Sequence, residues 1–437
     1  MPGFTSNSVA VLGVPFDNVT MDEAVRIIED QIDSGGYHQV ATANVDFLMH
    51  AINDPELQNI LCSCSLVVPD GMPILWSARL MGSRLKERVC GIDLVPRLAE
   101  LSARRGYSIY LLGASEKSSQ RAAETLQERY PGLRIAGRYS PPVRPLQQMN
   151  HEEILERIEL AQPDILLVAF GNPKQEKWLS MHRDRLRVPV SIGIGGSLDL
   201  IGGRLARAPR WMQKSGLEWC YRAAQEPRRL AGRYLADALT LGRYLPQQMA
   251  ATASQPRVPG PSRIVPTQIG DTVVIAIQGS LTGETLSEFE AQARNAAEEG
   301  KHIVLDMTQS GYFAPSTLGS LVQLMTSMQQ RRLQLWLAGM RPHLVRLLRS
   351  ARLNSFFRIT SSVADAVYRI AKAEHATLAH MPALLSPRRM AGPAVQLRFE
   401  GMQDVCQKMA VSGQSMPLDF GQGLNHASRY GFKVSVG

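Results

Sequence analysis

Asp164-Ile-Leu-Leu-Val-Ala-Phe170-Gly171-Asn172-Pro173-Lys174-Gln175-Glu176 decides the fold class. From Ile165 to Phe170 it is apolar throughout, without helical or alternating period. Such a run is expected of a central parallel strand covered on both faces. Gly171 ends it, and Pro173 suits the first turn of a helix, whose free N–H groups can face phosphate. A strand-to-helix junction of this kind is where an open α/β sheet places its ligands.

Outward from it, residues 8 to about 205 alternate short apolar runs with amphipathic segments, a layered α/β pattern. Strands are expected at Ser8–Val14, His38–Thr42, Leu66–Val68, Tyr107–Leu112, Leu133–Ala136, Asp164–Phe170 and Val188–Ile192. Helices are expected at Met21–Gln31, Asp93–Arg104, Ser115–Tyr130 and Glu152–Leu160. The core is bounded as residues 1–215, followed by a basic, aromatic helical appendage at 216–245. Residues 246–263, rich in Pro, Ala, Ser and Gln, read as a linker that lets its flanking domains move independently. A second, smaller α/β unit spans 264–374, with strands at Thr272–Ile277, His302–Asp306 and Leu333–Ala338. Its helices are Ser287–Glu299, Ser316–Gln330, Pro342–Ala351 and Ser362–Ala373. Residues 375–437 form an irregular tail with short strand-like pieces at Val395–Phe399 and Phe432–Val436.

The chain has 437 residues, suited to two or three domains. No apolar run reaches the roughly 18 residues of a membrane span, and no basic leader precedes the first apolar stretch. A cytoplasmic start is expected. The five cysteines are scattered without a C-x-x-C pair, against both a disulfide framework and a zinc site. Of the net charge of +9, much sits in one place: Arg204 to Arg243 holds nine basic and three acidic residues, interleaved with Trp211, Trp219, Tyr221 and Tyr234. That composition suits anionic headgroups and phosphorylated ligands. A solvated helix face is the plainer alternative, and nucleic acid is not expected without a recognisable module for it.

Four clusters stand at strand ends. Thr42-Ala-Asn44 holds ordinary helix caps. Pro69-Asp70-Gly71 is a turn pair, or else a carboxylate at a cleft edge able to take a proton from an acceptor hydroxyl. Gly171–Glu176 offers Lys174 and Gln175 as polar groups for a nucleotide-sugar. Gly193-Ile-Gly195-Gly196-Ser197 lets backbone approach a diphosphate closely. It does not match G-x-G-x-x-G, and neither a D-x-D pair nor a P-loop occurs, so dinucleotide and P-loop enzymes are disfavoured. Arginines would then have to neutralise a leaving diphosphate.

Together these blocks resemble the WecG/TagA/CpsF glycosyltransferases. The resemblance extends through Glu87-Arg88-Val-Cys-Gly91-Ile-Asp93-Leu94, Arg207-Ala-Pro209-Arg210-Trp211, Leu217-Glu218-Trp219-Cys-Tyr221-Arg222 and Glu226-Pro227-Arg228-Arg229-Leu230. It covers about residues 8–245. It implies an inverting, metal-independent transferase on a Rossmann-like domain, needing no cofactor. The donor would be a nucleotide-sugar, UDP-linked, and the acceptor a polyprenyl-diphosphate-linked sugar in cell-surface or exopolysaccharide synthesis. The protein would lie peripherally on the inner face of the cell membrane, against an anionic surface; homo-oligomerisation is left open. Carried over by position, Asp70 is the base. Thr42, Asn44, Arg88, Gln175, Gly195 and Gly196 line the substrate pocket, and Arg222 and Arg229 close over the diphosphate. Gly232 stands where the pattern expects a basic residue.

The second unit resembles a STAS domain, the fold of anti-sigma-factor antagonists, through Ile303–Met307 and Phe313-Ala-Pro-Ser316-Thr-Leu-Gly319. Ser316 falls on that family's phosphorylatable serine, with Ala314 in place of an Asp; a helix N-cap is its plain alternative. The resemblance implies a regulatory module with a protein partner. The core to residue 215 is expected to fold without the appendage, and the chain cut after Gln255 to keep its chemistry. A regulator or scaffold that binds nucleotide-sugar without turnover is the rival reading.

Overall fold

A computed structural model of the protein describes residues 8–256 and 261–379. The expected strands at Val395–Phe399 and Phe432–Val436 lie outside the described residues.

The chain opens with a hairpin, β1 (Ser8–Val11) and β2 (Val14–Asp17), then continues through β3 (His38–Ala43), β4 (Leu66–Pro69), β5 (Ser108–Gly113), β6 (Arg134–Tyr139), β7 (Ile165–Ala169) and β8 (Val190–Gly193). Strands β3 to β8 form one parallel sheet ordered β4-β3-β8-β7-β5-β6. Successive side chains in a strand point to opposite faces, and both faces are apolar here. Val40, Val68, Ile109, Leu111, Ile165, Leu167 and Ile192 pack on helices Met21–Ser34, Gly91–Arg105 and Glu116–Arg129. On the other face Ala41, Ala43 and Val67 meet helices Val45–Asn53, Pro55–Ser63 and Met72–Leu80, while Leu112, Leu166 and Val168 meet helices His151–Ala161 and Lys174–Met181. All strands being parallel, the ends of β3, β4, β7 and β8 open on one edge.

The expected strand Ser8–Val14 is instead the hairpin, separate from the parallel sheet. Its two-residue turn, Leu12-Gly13, has positive φ at both positions, as a type I′ turn requires. Leucine rarely adopts that conformation, so the reversal has no clear sequence signature.

The second sheet comprises β9 (Arg263–Ile269), β10 (Thr272–Leu281), β11 (His302–Asp306), β12 (Ser310–Phe313), β13 (Leu335–Ala338) and β14 (Arg358–Thr360). It runs β12-β10-β11-β13-β14, all parallel, with β9 added antiparallel on β10. Helices Gly283–Glu298, Pro315–Gln330 and Pro342–Ser350 supply buried residues to its core, Phe289, Leu321 and Leu347 among them.

The linker expectation is corrected between Pro246 and Ala253. Helix Pro227–Ala253 runs straight through Pro246. Packing outweighs the lost N–H bond: Leu245, Gln248, Thr252 and Gln255 are all buried. Gln248 Oε1 accepts from Leu12 N at 2.9 Å, and its Nε2 donates to Ala10 O at 3.1 Å. Gln255 exchanges two bonds with the Phe313 backbone, both 2.9 Å. The described residues up to Leu378 accordingly fall in one compact unit. The flanking domains are packed together rather than free, and a cut after Gln255 would uncover Ala10 and Cys62, which join the second sheet's core. Truncation before Gly216 would likewise remove Leu230 and Leu245 from the buried set.

A Cβ on Gly319 would lie 2.3 Å from Ser8 O, a backbone atom that cannot swing aside. Gly319→Ala should therefore lower stability by about 1–3 kcal/mol in denaturant unfolding. Gly232→Ala, with open space around it in a helix, should raise stability by up to about 1 kcal/mol. Equal effects would mean that the hairpin–helix contact is not tight.

Candidate functional site

At the carboxyl edge of the parallel sheet four strand ends converge. Asp70 follows β4, and its backbone N–H donates to Ala43 O at the end of β3 (2.8 Å). The Gly91 N–H faces its carboxyl and favours the ionised form. Burial pushes its pKa up to about 6, against the opposing pull of Arg222 and Arg88; Glu218 adds to the rise. A carboxyl so tuned is ionised near neutral pH yet remains a usable proton acceptor, the condition for a general base. Over the β8 loop, a Cβ on Gly196 would lie 3.6 Å from Arg222 Nη2, so that guanidinium hangs above the glycines. Gly195 has φ +52° and carries the chain into the turn. Arg222 Nε is buried without a hydrogen-bond partner among the described residues.

The appendage is locked to the core by ion pairs that the sequence reading did not single out. Arg88 Nη1 donates to Glu218 Oε2 at 2.6 Å, with Glu218 on helix Glu218–Gln225. Arg207 grips Asp93 with two bonds of 2.6 Å and reaches Glu218 Oε1 at 3.7 Å. Paired two-point contacts of this kind hold geometry as well as charge. Glu218, Asp93 and Arg207 all stand within the blocks that carried the resemblance, so their positions were visible although their roles were not. A cleft of about 880 Å³ opens beside this chain, lined in part by Met72, Arg88, Asp93, Arg207, Arg210 and Gln213.

Two expected pocket residues are corrected. Thr42 is buried, and its hydroxyl donates to Gly193 O at 2.9 Å, tying β3 to β8 instead of facing a ligand. Gln175 is 1% exposed; its Oε1 accepts from Gly171 N (3.1 Å) and Gly195 N (3.2 Å), and its Nε2 donates to Glu176 Oε1 at 2.7 Å. It clamps the β7 and β8 loops together. Buried Glu176 has its pKa pushed up to about 8 by that burial. Asn44 is the N-cap of helix Val45–Asn53, accepting from Phe47 N at 3.4 Å, and remains partly exposed at the edge. Lys174 Nζ donates to Arg144 O. Arg229 is carried on helix Pro227–Ala253, but its side chain lies outside the described residues.

Beside the edge, Asp46 accepts from Asn172 Nδ2 at 3.2 Å and lies 3.8 Å from Arg233 Nε. Asp237 nearby has its pKa pushed up to about 6, by burial first and by Asp46 second. Asp46 and Asp237 also escaped the sequence reading, because Asp46 looks like a plain first-turn acid of a helix. Among the described residues no group of three or more His, Cys, Asp or Glu side chains is placed to hold a metal ion. Ser316 is the second residue of helix Pro315–Gln330. Its N-cap alternative is corrected: Ala314 takes that place because Pro315 occupies the first position.

Asp70→Asn should lower turnover about a hundred- to ten-thousand-fold while donor affinity stays nearly unchanged. Because the folded-state pKa is raised, ionising Asp70 opposes folding once the pH exceeds its unfolded value of 3.8. The opposition grows up to about pH 6. At pH 7 the variant should therefore melt no lower than wild type, with the difference vanishing below about pH 4. More than half of wild-type turnover would leave Asp70 a turn residue.

Comparison with known proteins identifies the families of both domains. Residues 9–254 match the model of the Glycosyl transferase WecG/TagA/CpsF family, and residues 263–366 that of the STAS domain. Two Staphylococcus aureus proteins, from strains MRSA252 and MW2, are each 30% identical over 224 residues, covering 51% of this chain and 86% of theirs. Both are named N-acetylglucosaminyldiphosphoundecaprenol N-acetyl-beta-D-mannosaminyltransferase. The anti-sigma factor antagonist SpoIIAA in its unphosphorylated form aligns over 25% of this chain and 98% of its own, at 14% identity and a TM-score of 0.22. With the family model matching more than half of its length, the chain belongs to the WecG/TagA/CpsF glycosyltransferases and carries a STAS domain behind the transferase.

Proposed function

We propose that the protein transfers a sugar, with inversion and without a metal, from a UDP-linked donor to a polyprenyl-diphosphate-linked saccharide at the inner face of the cell membrane. The observation that carries this is Asp70, held at the sheet's carboxyl edge between Arg88 and Arg222 with its pKa moved to about 6. The acceptor hydroxyl attacks the anomeric carbon while Asp70 takes its proton. The bond from that carbon to the diphosphate oxygen breaks, and the diphosphate leaves with the electron pair. Arg222, above Gly195 and Gly196, and Arg88 offset the charge that develops there. Arg229, seven residues on and at the start of helix Pro227–Ala253, joins them in this proposal. Asn44 stands at the rim for a sugar or nucleotide hydroxyl.

The acceptor class rests on the name of the S. aureus relatives. No helix among the described residues is long and apolar enough to cross a membrane. Support for surface attachment comes from exposed Trp211, Leu217 and Trp219 in the basic segment and from exposed Trp76 and Leu80. The last two lie on helix Met72–Leu80, which starts two residues after Asp70. Gly216 abuts Met72 and Trp76, so the two apolar patches adjoin. Aromatic side chains flanked by arginines suit the interface of an anionic bilayer. Ser316, half-buried on the STAS domain, is the proposed regulatory position; a phosphate there would add a charge of about −2 and change what protein can dock.

Two measurements test this reading. Incubation with a panel of nucleotide-sugars and a polyprenyl-diphosphate-linked N-acetylglucosamine should give one elongated lipid product in the presence of EDTA, and no product with any donor would favour a non-catalytic scaffold. Replacing Trp76 and Trp211 together by Ala should reduce sedimentation with anionic vesicles at least severalfold, with solution turnover on a short-chain acceptor retained. Unchanged sedimentation would exclude this face as the membrane contact.

A further inference from the structure

The hairpin β1–β2 is a plate with two faces. Val9, Val11, Leu12, Val14 and Phe16 belong to the transferase core, whereas Ala10 belongs to the core of the STAS domain. Against the second face lies helix Pro315–Gln330, touching β1 at Gly319 and Ser8 and donating from Thr326 Oγ1 to Cys62 O at 2.7 Å. The plate ends in Asp17, 4% exposed, whose two carboxylate oxygens point to different domains. Oδ2 accepts from Val67 N at 2.7 Å, and Oδ1 from Gln323 Nε2 at 2.7 Å. Val67 lies on β4, the edge strand of the transferase sheet, paired there only with β3. It stands three residues before Asp70. Gln323 lies on the STAS helix. One buried carboxylate thus joins that helix to the strand delivering the base.

We propose that Asp17 is a positioning residue for sugar transfer: it fixes the open edge of β4 so that Asp70 stands between Arg88 and Arg222, and Gln323 of the STAS domain fixes Asp17. The STAS domain is then part of the catalytic scaffold, and whatever displaces helix Pro315–Gln330 is felt at the base. This rests on Asp70 being that base.

An edge strand carries outward N–H groups, and one that is buried must find a partner. On β4 the partner for Val67 is the Asp17 carboxyl. Past Val67, the end of the strand is held by Asp70 N on Ala43 O and by Val89 N on Pro69 O at 3.0 Å. Val89 neighbours Arg88. Slack in β4 therefore changes the spacing of Asp70 and Arg88 directly. The charged and titratable groups facing Asp70 are Arg222 and Glu218 from helix Glu218–Gln225, and Arg88 and Cys90 from the segment before helix Gly91–Arg105. Gln323 is neutral and not among them. Its loss can reach the titration of Asp70 only through geometry.

The test uses the full chain. Gln323→Ala should lower kcat about 2- to 12-fold, the usual worth of one intramolecular hydrogen bond, with the donor KM within about twofold of wild type. It should also shift the acid limb of the pH–kcat/KM profile and speed amide exchange in the peptide spanning residues 66–70. Asp17→Asn should stay close to wild type. Its side-chain oxygen still accepts from Val67 N, and the Gln323 amide turns to accept from the new NH2. Asp17→Ala loses both bonds. If it fails to fold, the other two variants still decide. Wild-type kcat, pH profile and exchange in Gln323→Ala would overturn the proposal. So would a loss of activity that merely tracks melting temperature with the pH profile unmoved. Full activity in Asp70→Asn would overturn the reading of the base, and this inference with it. An inactive Asp70→Asn beside a fully active Gln323→Ala would overturn this inference alone.

Discussion

A carboxyl group drawn away from water and set against two arginines is the interaction on which the rest of this site depends. Burial alone would leave Asp70 protonated well above the usual carboxylate range, and the arginines alone would make it too weak a base. The balance between them places it at about 6. That balance is a matter of position, so the surrounding structure has to fix distances. Ala43 holds the backbone of Asp70, and the Gly91 N–H faces its carboxyl. Arg88 is pinned by Glu218.

The same logic explains why the appendage and core are joined by ion pairs. Glu218 brings helix Glu218–Gln225 onto Arg88 and Arg207, and Arg207 is itself held by Asp93. These pairs are partly shielded from solvent, which reduces screening relative to surface pairs. Their main effect is to set where Arg222 sits over the β8 loop. Gln175 does for the backbone what Glu218 does for the arginines: one buried amide oxygen accepts from both glycine loops. Thr42 and Gln175 thus act on the site from behind it.

Much of the fold was legible because local pattern and tertiary environment agreed. Ile165 to Val168 read as a doubly covered strand and is one, between β5 and β8. Asp70 and the glycine loop were legible from their places at strand ends. The failures have physical causes. Leu12-Gly13 makes a turn with a residue that avoids it, and Pro246 sits inside a helix because its neighbours Leu245 and Gln248 are buried. Whether the amide of Gln175 faces a ligand or two backbone N–H groups cannot be read from its type. The packing of the STAS domain on the hairpin was hidden for a similar reason: the alternation Val9, Ala10, Val11 signals two faces without naming what covers each.

Fixed in this way, Asp70, the base in the proposed reaction, should have an ionisation that belongs to it and that governs turnover. Carbon-13 NMR of aspartate carboxyl groups in the full chain, with the Asp70 signal assigned by its loss in Asp70→Asn, measures that ionisation without reference to activity. The account predicts a midpoint near 6 that coincides with the acid limb of kcat/KM for sugar transfer. A midpoint near the 3.8 of an ordinary aspartate, or an acid limb that ignores it, would contradict the account.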